Sequence, residues 1–140
     1  MDRRQLLRGV GFGAFAGIAA AQDHAHHSHG GHATLAAAAS DCAGKGEICL
    51  AHCYESLSQG DKSLAACAKS VSELIAVCGA LRSLAAQGAP SLAKLAAVSL
   101  DVCQRCEAEC RKHEKMHSEC KDCADACAAC AAECRKAANA

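Results

Sequence analysis

Thirteen cysteines in 140 residues constrain this chain, and their spacing matters more than their number. Cys120, Cys123, Cys127, Cys130 and Cys134 recur at intervals of three and four, as do Cys103, Cys106, Cys110 and His113. On an α-helix, at about 100° per residue, such intervals gather a set onto one stripe. Cys42, Cys49 and Cys53 fall within about 40° of one another on the same geometry. Leu64, Cys67, Val71, Leu74, Cys78 and Leu81 step 3-4-3-4-3, the pattern of a helix seam that faces a core. Every cysteine therefore belongs to an inward-facing stripe.

The surrounding residues support helix throughout. From about Asp41 the chain is rich in Ala, Leu, Lys and Glu, carries one proline and has no β-branched runs. Breaks fall at Gln59-Gly60-Asp61, at Gln87-Gly88-Ala89-Pro90 and between Glu114 and Ser118. Pro90 suits the first turn of a helix and Gly88 the position just past the end of one. Ser118, followed by Glu119, reads as a helix start, and Arg135-Lys136 suits a last turn. The predicted helices are 41–58, 61–87, 90–113 and 118–137. Short connections between long helices make neighbours antiparallel. The expected fold is all-α: an up-down-up-down antiparallel four-helix bundle with a Cys-lined core, spanning 41–140.

What precedes the bundle reads differently. Arg3-Arg4, the apolar run Gly9 to Ala20 and the small-residue site Ala19-Ala20-Ala21 predict a twin-arginine signal peptide over 1–21, hence export to the periplasm. About a dozen apolar residues are too few to span a bilayer, so no membrane partner is expected after cleavage. Residues 22–40 then form a flexible tail with His24, His26, His27, His29 and His32. A tail beginning Gln22-Asp23-His24 would suit square-planar Cu(II) or Ni(II), through the amine, two amides and the imidazole.

Composition excludes several functions. Fifteen basic side chains balance fifteen acidic ones, and without the leader the balance turns slightly acidic, so a nucleic-acid partner is not expected. Phe12, Phe15 and Tyr54 are the whole aromatic set, which removes base-stacking platforms. No phosphate-binding glycine loop, HExxH or carboxylate pair stands out, and no cysteine is singled out as a nucleophile. An enzyme is not expected.

The fourth helix gives the cysteines a purpose. Between Ser118 and Ala140 there is no Leu, Ile, Val, Met or aromatic residue. At about 25 cal/mol per Å² of buried apolar surface, alanine and cysteine alone provide little drive to dock it. A metal between opposed sulfurs would supply what those side chains lack.

Four explanations of the thiols compete. Residues three or four apart on a helix hold their Cβ atoms about 5–6 Å apart, too far for the 3.5–4.5 Å of a disulfide. Bridges between helices stay possible, but an odd count leaves one thiol over. Zinc wants closed tetrahedral sites, usually on tight turns. The Cys120–Cys134 run departs from iron–sulfur spacing. Cu(I) is soft, prefers thiolate and accepts two or three ligands, so its sites can tile a bundle. One monovalent ion per thiolate also leaves the core near neutral. Two classes remain open: a high-capacity Cu(I) store, and a disulfide or zinc-binding structural or redox module.

An entrance can be placed by topology. The first and third connections lie at one end, which brings Gly60 beside His113, Met116 and His117, weaker ligands suited to passing ions inward. His52 lies slightly off the seam and reads as a surface histidine.

Cys49-Leu50-Ala51-His52-Cys53, Cys78-Gly79-Ala80-Leu81, Cys103 through Cys110 and the Cys120–Cys134 run together make a specific set. With the twin-arginine leader, the chain resembles the four-helix-bundle copper storage proteins, exported type. The resemblance implies a homotetramer of bundles, each holding many Cu(I) ions along its axis through cysteine, with copper-dependent enzymes as recipients. In exported members these are methane-oxidising enzymes. Family members similarly place His and Met at one mouth, although here Met is missing near the first connection.

Overall fold

The computed structural model describes residues 31–140. The expected leader, and the tail histidines His24, His26, His27 and His29, lie outside the described residues. Four helices follow one another: α1 (Ala33–Ser58), α2 (Ala65–Gln87), α3 (Leu92–Arg111) and α4 (Ser118–Ala138). No described residue lies in a β-strand. Each helix packs on two neighbours, α1 on α2 and α4, α3 on α2 and α4, while the diagonal pairs stay apart. That square leaves one shared axial space, and the seams fill it.

Register confirms the alternation of direction. Cys49, late in α1, meets Cys67, early in α2, and Cys120, early in α4. Cys67 also meets Cys110, near the end of α3. Cys42, early in α1, meets Cys127, midway along α4 and past Cys120, which meets the later Cys49. All neighbouring pairs are thus antiparallel. This is the four-helix bundle expected from the cysteine stripes.

The first helix departs from expectation at its start. It begins at Ala33, eight residues before Asp41, and His32 sits at its N-terminal flank. The run Leu35-Ala36-Ala37-Ala38-Ala39 has the strongest of helix propensities. Leu35 and Ala39 are buried and prolong the seam to Leu35-Ala39-Cys42-Gly46-Cys49-Cys53, spaced 4-3-4-3-4. Residues 33–40 therefore belong to the bundle, not to a flexible tail. Elsewhere the ends shift by a few residues. Asp61 caps a turn by accepting the Ser63 N–H, which delays α2 to Ala65. Gly88 closes α2 at φ 59°, a left-handed position that glycine adopts without strain. Pro90 lies in the turn before α3, two residues ahead of the first helical position.

The two halves of the core differ. Leu35, Leu81, Ala85, Leu92 and Ala96 are all buried, and topology gathers them at the end formed by the α1 N-terminus and the α2–α3 connection. Toward the other end, sulfur replaces hydrocarbon. Between the halves, α1 and α2 approach closely at Gly46. A Cβ there would stand 3.1 Å from Ile75 Cγ1, 3.5 Å from Val71 and 3.6 Å from Leu74. Alanine would gain helix propensity against one tight contact, whereas a branched side chain must push α2 away. Gly46→Val should therefore destabilise the reduced, metal-free bundle by about 1–3 kcal/mol, measured by denaturant unfolding followed by circular dichroism.

Candidate metal centre

All thirteen cysteines are free thiols, and all are fully buried. Four inward stripes could have pointed some sulfurs into helix–helix grooves; instead the axis collects all thirteen. Cys42, Cys78, Cys103 and Cys130 supply one sulfur from each helix to a single group, with all Sγ atoms within 4.8 Å of one another. Three further groups on the same criterion lie toward the α3–α4 connection: Cys49, Cys67 and Cys120; Cys49, Cys110 and Cys123; Cys106, Cys123 and Cys127. Cys49 and Cys123 each belong to two groups, so neighbouring sites share corners. Cys134 continues the row, its Sγ 3.9 Å from that of Cys130. Cys53 lies toward the opposite end, beside Cys49 and Cys67.

The closest sulfur–sulfur approaches include 3.6 Å for Cys67–Cys110, 3.8 Å for Cys49–Cys120 and 4.0 Å for Cys49–Cys67, and within the groups no pair exceeds 4.8 Å. A disulfide bond needs about 2.05 Å. Two thiolates holding one ion, with bonds of about 2.3 Å, stand about 3.8–4.6 Å apart as the angle opens from tetrahedral to linear. The spacing suits sulfurs waiting for a shared ion. Charge then selects among ions. A closed four-thiolate zinc site keeps a net charge of about −2 in a dry core. One monovalent ion per thiolate keeps none.

The metal-free core resolves its own charge by sharing protons. Cys103, Cys134 and Cys42 donate to Cys130 and lower its pKa to about 5. Cys49, Cys78 and Cys106 are lowered likewise, by donation from Cys110, Cys103 and Cys110 respectively. Their partners hold the protons. Cys42, Cys103, Cys110 and Cys123 are raised by donating to neighbouring sulfurs, and Cys53 and Cys120 by burial. At Cys67 the bond with Cys110 pulls downward, but donation to Cys49 and burial outweigh it and set about 11. Incoming metal must displace protons from this second set.

The entrance residues meet as the topology requires, with one addition. His113 and His117 lie at the α3–α4 connection, ring centroids 6.4 Å apart. His113 is 15% exposed, and its Nε2 is buried with no hydrogen-bond partner, 3.7 Å from Glu109 Oε1. Met116 is 79% exposed, so its thioether stands on the rim. The addition is His52. Expected on the surface, it is half-buried, and its Nε2 lies 2.8 Å from His117 Nδ1 in a hydrogen bond. Its Nδ1 faces Glu119 Oε1 at 3.8 Å. The signal that could have found it was end-matching: the last two turns of α1 must abut the start of α4 in an antiparallel pair.

A family model described as Csp, copper storage protein, matches residues 23–139. The chain belongs to the copper storage protein family. Among solved structures, it is similar to the Cu(I)-bound copper storage protein BsCsp3, with a TM-score of 0.68 and 30% sequence identity, covering 74% of this chain and 94% of that one. No curated protein matches the chain. Family membership and the shared sulfur corners agree on a core meant for metal.

A thiol census checks the free, buried state. Under argon, a thiol-specific reagent should find close to thirteen reactive groups in denaturant. In the native apo-protein the same reagent should react at least tenfold more slowly, because every sulfur is screened from water. A count near one in denaturant would mean disulfides.

Proposed function

We propose that this copper storage protein holds Cu(I) at high capacity, as chains of ions shared between core thiolates. The observation that carries the reading is the sharing of Cys49 and Cys123 between adjacent groups of buried sulfurs. Separate sites would need a private ligand set for each ion. Overlapping ones let the ion count approach the sulfur count, with bridging sulfurs holding the ions in a row. BsCsp3, at 30% identity, is a Cu(I)-bound relative. Soft thiolate donors select Cu(I) over harder ions, and neutrality favours one charge per sulfur.

His113, His117 and Met116 form the uptake end in this reading, with His52 beside them. Imidazole and thioether bind Cu(I) less firmly than thiolate, so an ion pausing there moves on to Cys53, Cys67 or Cys120. At the other end Leu35, Leu81 and Leu92 close the axis with hydrocarbon, and His32 stands at the α1 start beside Leu35 and Glu133. We further propose that the twin-arginine leader exports the folded chain to the periplasm and that four bundles assemble as a homotetramer. Stored copper would then supply copper-dependent enzymes. The exposed Ile48, Tyr54 and Val98 provide apolar surface for such assembly.

Titration of the reduced chain with Cu(I), against a competing chromogenic chelator, should reach a plateau near one ion per cysteine. A plateau at one or two ions would leave a chaperone or a regulatory site instead. Replacing Cys42, Cys78, Cys103 and Cys130 together by serine should remove several ions from the total. Loading should also release protons, since most sulfurs hold theirs above neutral pH. Apparent affinity should therefore fall as pH falls, because protons regain the raised thiols.

Copper should also act on stability, and unevenly. In the apo-protein α4 contributes no side chain larger than cysteine to the core. Its amides should exchange hydrogen fastest of the four helices and gain most protection on loading. Equal protection of all helices before and after copper would show that hydrocarbon packing alone holds the bundle.

A further inference from the structure

The donors at the histidine end differ in kind from those inside. Nitrogen and oxygen gather there: His52, His113 and His117, with Glu109, Glu119 and Asp61 around them. The carboxylate of Asp61 is held below its usual range by hydrogen bonds from Ser63, with His117 and His113 adding to the shift. Glu119 backs the far nitrogen of His52, the arrangement that commonly orients an imidazole toward a metal. His113 Nε2 is buried with no partner of its own.

The separation of 2.8 Å between His52 Nε2 and His117 Nδ1 carries geometric information. Two nitrogens bound at about 2.0 Å and at right angles, as in tetragonal Cu(II), stand about 2.8 Å apart. A tetrahedral ion would need about 3.3 Å, and linear Cu(I) about 4 Å. One shared proton lies between them now; a tetragonal ion would sit beside the N–N line, with each ring turning to aim its lone pair at it while the 2.8 Å separation is kept. Behind this pair lies the shortest sulfur contact described in the core, Cys67 Sγ to Cys110 Sγ at 3.6 Å. The two sulfurs come from different helices at the histidine end, one turn below His113. Closing by about 1.5 Å would make a bond.

We propose that this mouth accepts copper as Cu(II) and that Cys67 and Cys110 reduce it, which makes the chain a self-loading store for either oxidation state. The proposal rests on the storage reading. Each of two Cu(II) ions takes one electron. Cys67 and Cys110 each lose one electron and one proton and join through a new S–S bond. Two Cu(I) ions pass to the remaining thiolates, and two protons leave to water. Two ligands are given up to admit two ions without an outside reductant.

The test uses the full chain, reduced, freed of reductant and kept under argon. It receives two equivalents of a Cu(II) salt, and in parallel the same amount of Cu(I). With Cu(II), the paramagnetic signal should vanish and a Cu(I)-specific chelator should recover the copper as Cu(I). The thiol count should fall by about two, the stoichiometry of one disulfide. Non-reducing peptide mapping should join Cys67 to Cys110. His52→Gln should slow loss of the Cu(II) signal at least tenfold, and either Cys67→Ser or Cys110→Ser should abolish the link, with folding checked by circular dichroism. A lasting Cu(II) signal, disulfides scattered through the core, or an unchanged rate in His52→Gln would overturn the proposal. If Cu(I) loads while Cu(II) stays untouched, only this proposal fails. Failure with both ions sinks the storage reading as well.

Discussion

Everything in this bundle depends on core sulfur carrying little net charge whether or not metal is present. A buried carboxylate or imidazolium would have to be paired at all times or lose its charge, at a cost of several kcal/mol. A thiol avoids the problem because it packs as a small hydrophobe while it keeps its proton. Once a monovalent ion replaces that proton, the pair is neutral again. Thirteen such groups can therefore line one axis without unfolding the apo-protein and without repelling one another when filled. The proton sharing around Cys130 and Cys49 shows the intermediate condition, in which a few sulfurs ionise because their neighbours donate to them.

The same choice limits stability. Cysteine and alanine bury less hydrocarbon than leucine, so the fold draws its apolar adhesion from α2 and its N-cap, where Leu64, Val71, Leu74 and Leu81 are fully buried. The surface adds Arg105 bound through two nitrogens to Glu73, and Arg111 joined to Glu114 and Asp125 across the α3–α4 corner. Exposed ion pairs of this kind each contribute at most about 1 kcal/mol. They hold register more than they hold the fold. Gly46 does similar work from inside, since the absence of a side chain there lets α1 settle against Ile75 and bring Cys42 and Cys49 to the axis.

How far the sequence alone could go follows from which properties are local. Helical spacing is local, so Cys120 to Cys134 and Leu64 to Leu81 could be placed on inward seams from their intervals. Helix ends that depend on capping were nearly as legible, as at Gly88 and Ser118. The start of α1 was not. Five residues of alanine and leucine after a histidine-rich stretch read equally well as tail or helix, and burial of Leu35 and Ala39 against the other helices decides the matter. His52 was hidden for a related reason. Its angular position, just off the Cys49–Cys53 stripe, suggests solvent for an isolated helix. Only the abutment of α1 against α4 puts His117 within 2.8 Å of it. Met116 shows the converse, a chemically apt residue that topology brings to the right end while its side chain faces water.

The asymmetry between the ends turns a lined tube into a vessel. An up-down bundle has two connections at one end and one at the other, joined there by the chain termini. Here the short Gly88–Ser91 turn and the α1 start meet over leucine and alanine, with His32 as the imidazole among the described residues at that end. The two longer connections meet over imidazoles and carboxylates, which attract cations and hold them weakly. Between them the donors strengthen inward, from nitrogen to groups of three sulfurs to one group with a sulfur from each helix. On the proposed uptake route, an ion moving down that gradient would gain ligands at each step. Filling and retention would then follow from one ordering of side chains along the axis. On the same route the last ions to enter sit nearest the histidines, so an acceptor would compete for copper there.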